Sequence, residues 1–247
     1  MSAGRSPTAR ATAPDKRRLI LDAAVRVFAR QGFHACRVAD IADEAGVAYG
    51  LVYHYFASKD EVLDTIFLER WNVMLELIRE VDSQPIPVRD KLGAIASFIV
   101  DSYRHDPDVM KVIIVEVTRA ANSFGQTHLG EIRTAYELIG EIVEKAQAEG
   151  SFKAEIEARF AAMAFYGAIE QLLTGWIFGL RPQGEEEFER AKWLVVETVC
   201  GGLETRAAGE QAIAAKRAMS REATAAKGAV AESAAGEQTA AVNRLPR

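Results

Sequence analysis

The side chains best suited to chemistry gather between Cys36 and Lys59. This run carries Arg37, Tyr49, Tyr53, His54 and Lys59, with the small residues Ala42, Gly46, Ala48 and Gly50 between them. Cations, phenols and an imidazole set among small residues suit phosphates and base edges, which need donors and close backbone approach. Bond-breaking groups are not arranged for work. His34, His54, His105 and His128 show no metal-ligand spacing, and Cys36 and Cys200 form neither a disulfide framework nor a zinc site. No nucleophile elbow or phosphate loop occurs, and Glu141 and Glu144 read as a solvated helix face. The expectation is a binding protein with no catalytic residue, metal or cofactor.

Those side chains need a scaffold that holds them to one surface. The segment Val38-Ala39-Asp40-Ile41-Ala42-Asp43-Glu44-Ala45-Gly46-Val47-Ala48-Tyr49-Gly50-Leu51-Val52-Tyr53-His54-Tyr55-Phe56 has the spacing of a helix-turn-helix. Ala42 is small where two helices cross, and Gly46 supplies the positive φ of a tight turn. Ile41, Ala45, Val47 and Val52 make the seam between the helices. The exposed start of the second helix then faces a major groove. A preceding helix opens at Asp15, repeats Leu19, Ile20, Ala23, Ala24, Val27 and Phe28 at helical spacing, and closes at Gly32. Ser58-Lys59-Asp60-Glu61 is a capping box opening a long helix to about Val81.

Charge sharpens this reading. The 247 residues carry 30 Lys+Arg against 35 Asp+Glu, a net charge of -5 that argues against a non-specific, wholly basic DNA coat. Residues 1–60 hold nine basic and six acidic side chains, a local +3, and the remainder is -8. Opposite signs at the two ends suit one end that meets an anion.

Downstream the pattern stays helical. Pro87 falls in the first turn of a helix through Tyr103, and Asp106-Pro107 opens another to about Ala121. Residues 122–127 read as a loop, and further helices span about 127–149, 155–179 and 185–206. In the last of these Phe188, Trp193, Leu194, Val196 and Val199 face inward. No segment alternates as a strand, so the expected class is all-α. The expected divisions are a disordered basic arm over 1–14, a helix-turn-helix domain over 15–62, an effector-binding and dimerisation domain over 63–206, and an Ala-rich tail over 207–247 that is disordered or a frayed helix. No uninterrupted apolar stretch of ~18 residues spans a membrane. The polar first fourteen residues lack a secretory h-region, and cytoplasm is the expected compartment.

The run Ile41-Ala42, Ala45-Gly46-Val47, Gly50, Val52-Tyr53, Tyr55-Phe56 and Ser58-Lys59, with Ala23-Ala24, Phe28 and Gly32-Phe33 before it, resembles the signature of the TetR family of bacterial transcriptional regulators. The resemblance covers about residues 15–65. It implies an N-terminal DNA-binding head, a C-terminal effector domain and a homodimer, with effector binding releasing a DNA operator. Two departures stand out: Cys36-Arg37 replaces the hydroxyl residue that often leads the second helix, and Ala48 stands where Ser or Thr often precedes the recognition helix.

Candidate DNA-contacting residues are Arg37, Ala48, Tyr49, Gly50, Leu51, Tyr53, His54 and Lys59. Arg37 suits a phosphate or a bidentate guanine contact, Leu51 a thymine methyl or the core, and Tyr49 a phosphate or base edge. Gly50 lets backbone approach DNA, and Tyr53 and His54 suit phosphates. Lys59 lies at a helix N-terminus that favours phosphate, and Lys16, Arg17 and Arg18 suit the flanking backbone. Tyr55 and Phe56 anchor the recognition helix, which carries no Arg, Lys, Asn or Gln, so methyl contacts, Tyr49, Arg37 and DNA shape must carry specificity.

In the second domain, Phe98, Tyr103, Tyr136, Met163 and Tyr166 are candidates to line an effector cavity, with Glu116, Arg119 and Glu170 to orient a polar group. The patterns Val115–Arg119, Glu131–Tyr136 and Gly167–Trp176 are similar to the acyl-CoA-responsive regulators of fatty-acid degradation in this family. That resemblance implies an apolar tunnel, with Arg104, Lys111 or Arg133 near the CoA phosphates. Ile177, Phe178 and Trp193 are candidates for a four-helix dimer interface, which would set two recognition helices about one DNA turn apart on a palindromic operator. A transcriptional activator of the same fold and a non-specific DNA-binding protein remain the alternatives.

Overall fold

The computed structural model describes residues 13–117 and 128–211, and these residues fold as packed helices. α1 spans Ala13–Gln31, α2 Val38–Ala45, α3 Tyr49–Tyr55 and α4 Lys59–Ser83. α5 spans Val88–His105 and α6 Pro107–Lys111; α6 continues directly into a π-helical turn over Val112–Val117. α7 is Leu129–Ala148, α8 Ala158–Ile177 and α9 Glu185–Leu203. The fold is all-α. Among the described residues the sole strand-like pairing is an isolated bridge between Phe152 and Glu204. Of the arm expected over 1–14, residues 13–14 belong to α1 and residues 1–12 lie outside the described residues, as do the 122–127 loop and the tail beyond 211.

Local chemistry sets the first three elements. Gly32 ends α1 at φ 83° and Gly46 ends α2 at φ 65°, both in the left-handed region that glycine adopts without Cβ strain. The amide of Val47 returns to Ala42 O at 3.0 Å, closing the α2 end in a Schellman-type turn. Ile20, Ala24, Phe28, Ile41, Ala42, Val52 and Phe56 are buried together, so three short helices share one small core. Ala45 and Val47, expected in the same seam, are half-buried. Ser58 Oγ accepts the Glu61 amide at 3.1 Å, as a capping residue should, while the Glu61 carboxylate accepts the Ala57 amide at 2.5 Å.

α4 starts in this head and runs into the body, where it packs on α5 and α7. Pro87 is the N-cap of α5 rather than a first-turn residue. α7 packs on α8, and α9 covers α5 and α8. Tyr103, Trp176 and Phe188 lock the far end, Tyr103 stacked on Trp176 with ring centroids 5.5 Å apart. Trp193 and Leu194 depart from expectation: the buried positions of α9 are Phe188, Ala191, Val195, Cys200 and Leu203, and this face turns both side chains to the surface.

Candidate functional site

The α3 surface is the first candidate. α3 rests on the head core through Val52, with Phe56 buried just beyond its end and Tyr55 packed against the same core. Ala48, Tyr49, Gly50, Tyr53 and His54 are exposed, and Leu51 is half-buried. Tyr49 and Tyr53, one helical turn apart, meet edge to face at 5.2 Å with their hydroxyls 3.2 Å apart. That hydrogen bond to Tyr49 holds the Tyr53 phenol above its ordinary pKa, so the pair is a neutral donor–acceptor unit. Gly50 needs no left-handed backbone, and a Cβ built on it would meet nothing within 4 Å. Glycine inside a helix costs about 1 kcal/mol against alanine. Packing within the chain does not explain this glycine.

The cations divide into two sets. Arg37, the N-cap residue of α2, is exposed, and no ion pair or side-chain hydrogen bond engages its guanidinium among the described residues. Its backbone amide is held by Asp40 Oδ2 at 2.7 Å, and this bond draws the Asp40 carboxyl below its usual range. Lys59 departs from expectation. Its ammonium donates to Phe33 O at 2.6 Å and Cys36 O at 2.8 Å and lies 4.3 Å from the Phe33 ring centroid. It is committed to fixing the loop before α2. Arg17 also points inward, pairing with Glu69 at 2.9 Å over the Phe56 ring. Arg26 and Arg30 both grip Glu44, at 2.7 and 3.1 Å.

The second candidate is a cavity of about 370 Å³ between α4, α5, α6 and α8. Trp71, Met74, Phe98, Val109, Ile113 and Tyr166 give it an apolar wall. Asp101, Asp106, Arg70 and His105 supply polar groups. The two acids are already engaged: Asp101 pairs with Lys192 at 2.7 Å, and Asp106 caps α6 by accepting the Val109 amide at 3.1 Å. Arg70 is exposed and makes no ion pair among the described residues. His105 Nδ1 lies 2.7 Å from Asp101 O, so that nitrogen carries the proton in the neutral ring and Nε2 remains to accept. The site is therefore an apolar pocket whose unspent polar groups are a cation and an imidazole.

The expected cavity residues distribute unevenly. Phe98 and Tyr166 line the cavity. Tyr136 sits behind Tyr166 at 5.7 Å, with Glu170 near both, and burial pushes the Glu170 carboxyl above its usual range. Tyr103 instead belongs to the aromatic core with Trp176 and Phe188. Met163 is exposed, because the buried face of α8 runs through Ala158, Ala161, Ala162, Phe165, Ile169, Leu173 and Trp176. The side chain of Glu116 and the whole of Arg119 lie outside the described residues. Of the cations expected near a CoA head, Arg104 pairs with Glu185 at 2.7 Å, Lys111 bonds Ala29 O at 2.6 Å, and Arg133 is exposed. Arg70, Trp71 and His105 lie outside the expected set of cavity residues, although α4 carries Arg70 beside the apolar Trp71 and Met74.

A third surface is apolar. Phe160 and Met163 on α8, and Trp193 and Leu194 on α9, are exposed, as are Phe178 and Leu180 beyond the α8 end. Of the three expected interface residues, Phe178 and Trp193 are exposed, while Ile177 is half-buried against the core.

Known proteins with this architecture define the class. Residues 20–66 match the family "Bacterial regulatory proteins, tetR family", and residues 67–181 match "YsiA-like protein, C-terminal region". The chain belongs to the TetR family of bacterial regulatory proteins. It is 29% identical to the fatty acid metabolism regulator protein of Bacillus subtilis, over 64% of this chain and 81% of that protein. It is also 29% identical to the HTH-type transcriptional repressor KstR2 of Rhodococcus jostii, over 59% of this chain and 72% of that protein. Among solved structures, the fatty acid degradation regulator FadR of Bacillus halodurans superposes with a TM-score of 0.70 at 25% identity, covering 80% of this chain and all of that one. FadR of Bacillus subtilis, solved with stearoyl-CoA, has the same fold at a TM-score of 0.68 and 24% identity, covering 75% of this chain and 98% of that one.

Proposed function

We propose that the chain is a ligand-responsive transcriptional repressor that binds a palindromic operator as a homodimer and is released by an apolar effector of the long-chain acyl-CoA class. The head, residues 15–62, meets DNA through α3, and the body, 63–206, holds the effector and the partner subunit. The carrying observation is the exposed α3 face, where Gly50 has no internal reason to be glycine and stands beside the paired phenols of Tyr49 and Tyr53. A helix that gives up helical propensity at its outermost point gains by close contact with a groove. Arg37 at the head of α2 supplies the phosphate or guanine contact that α3 itself lacks. Ala48, Leu51 and His54 complete the surface with short, apolar and donor groups suited to thymine methyls and phosphates.

The effector reading rests on the cavity and on the relatives that regulate fatty-acid metabolism. Its wall suits an acyl chain, Arg70 suits a polar head carrying negative charge, and His105 Nε2 is left to accept from a hydroxyl or amide of the same ligand. The exposed faces of α8 and α9 support a dimer, because a four-helix bundle buries such stripes and leaves the two heads about one DNA turn (~34 Å) apart. Weak binding by each head becomes strong only when both engage, so a ligand that changes their separation releases DNA.

The test uses the full-length chain to enrich duplexes from a random pool, then titrates the enriched duplex with stearoyl-CoA. Recovery of a palindrome with half-sites about 10 base pairs apart, displaced by the ligand, is the expected result. Equal affinity for bulk DNA leaves the non-specific alternative standing, and tighter operator binding with ligand reverses the sign of the switch.

A further inference from the structure

α6 touches both functional regions at once. Its cap and one face, through Asp106, Val109 and Met110, line the cavity, as does Ile113 in the π-helical turn that follows. The same helix packs on α1 of the head. Lys111, between Met110 and Ile113 in the chain, sends its ammonium to Ala29 O at 2.6 Å. Ala29 lies in the last turn of α1, where carbonyls lack the next-turn amides that would satisfy them. Gly32 N reaches Phe28 O, and among the described residues no backbone amide beyond the helix reaches Ala29 O. A cation there also meets the negative end of the helix dipole.

Beside the apolar packing of α1 on α4 and on the π-helical turn, other polar ties of the head differ in kind. Arg17 and Arg18 reach Glu69 from the other end of α1, through partly exposed ion pairs that are worth little. Lys59 holds the loop after α1, but it belongs to α4 and moves with it. Lys111 is thus the ammonium strap from the α6 wall of the cavity to the C-terminal end of α1. The turn that follows it is π-helical, carrying one residue more per hydrogen-bonded loop than an α-helix, a geometry found often at functional sites and convertible by a local shift.

Resting on the effector reading above, we propose that Lys111 is the positioning residue that carries cavity occupancy to the head. A ligand seated against Met110 and Ile113 displaces the α6 wall, pulls Lys111 off Ala29 O, and lets α1 and its attached α2 and α3 turn relative to α4. Lys111 does not line the cavity and its ammonium is spent on Ala29 O, so its loss leaves the ligand site in place. That loss frees the head as the ligand would, which lowers operator affinity before any ligand is added.

The experiment compares wild type, Lys111→Met and Lys111→Arg in the full chain. Three quantities are read: affinity for the enriched duplex, affinity for stearoyl-CoA without DNA, and amide exchange over residues 28–36. In K111M, stearoyl-CoA binds at least as tightly as to wild type, unliganded affinity for the duplex falls, and the further loss on adding ligand shrinks by about fivefold or more, the lower end of typical coupling. K111R restores most of that loss, because it keeps a donor cation. Exchange at residues 28–36 rises in unliganded K111M and in liganded wild type. A K111M protein that releases DNA on ligand as wild type does, or whose exchange there is unchanged, overturns the proposal. If wild type shows no binding of stearoyl-CoA, the effector reading fails separately, and unchanged exchange in K111M still refutes the strap while raised exchange upholds it.

Discussion

The head and the body are built on different contacts, and they fail in different ways. In the head, α1, α2 and α3 lie close in sequence, and their order is set by neighbours: two left-handed glycines, the Asp40 carboxylate on the N-cap amide of α2 and a small shared core. In the body, α5 meets α9 across about a hundred residues, through bonds such as Arg89 to Glu197 at 2.8 Å. The head therefore leaves the α3 surface exposed and keeps its core minimal. The body keeps a large core, leaves a hole in it, and exposes an apolar outer face.

Breaking that outer face should give the largest effect. Trp193 is exposed, so Trp193→Asp combined with Phe160→Asp costs the single chain little burial. Sedimentation velocity should show a dimer becoming a monomer, and operator affinity should fall about 100-fold or more, because avidity between linked sites is typically 10²–10⁴. An unchanged dimer would move the interface elsewhere on the body. Next in size is Gly50→Ala. A Cβ there meets nothing, so the helix gains up to about 1 kcal/mol, about 2–4 °C in melting temperature for a chain of this size. DNA affinity should fall about tenfold, since a lost groove contact costs about 1–3 kcal/mol. A stability gain without an affinity loss would remove the close-approach argument. Gly46→Ala separates the two glycines: at φ 65° a Cβ is strained, and the head should lose about 1–2 kcal/mol.

How much of this was legible follows from the same division. The α2 bounds, Val38 to Ala45, are those the sequence pattern predicts, because Gly46 and the Arg37–Asp40 cap are local signals. Ser58 declares α4 in the same way. Lys59 misleads, since its partners are backbone carbonyls, which carry no residue identity for a reader to find. In the body, Trp193, Leu194 and Met163 follow helical spacing, but an apolar stripe left exposed has the same period as one buried in the core. Tyr103 and Tyr166 are both large aromatics on amphipathic helices, yet one packs on Trp176 and the other on a cavity; only long-range packing distinguishes them. Arg70 and His105 come together from α4 and α5, and no short motif joins them.

The smallest predicted effect sharpens the comparison through pH. The head's Asp40 and Glu44 have lowered pKa values, Asp40 through the backbone bond from Arg37 and Glu44 through its bonds from Arg26 and Arg30. The body's Glu170 is raised by burial. For a lowered carboxyl, stability is present above the unfolded pKa and lost as pH falls through the folded one. For a raised carboxyl the sign reverses: its contribution is full below the unfolded pKa, 4.5 for Glu, and lost as pH climbs through the folded value. Acidification toward 4.5 therefore favours the body and leaves the head alone, and further acidification weakens the head. Asp40→Asn should lower head stability at pH 7 and converge with wild type at low pH, followed by amide exchange in α1 to α3. Glu170→Gln should do the opposite, raising body stability at pH 7 and matching wild type near pH 4. Parallel pH profiles for the two variants would mean that hydrogen bonding and burial do not divide these carboxyls by region, and the contrast between head and body would lose its electrostatic half.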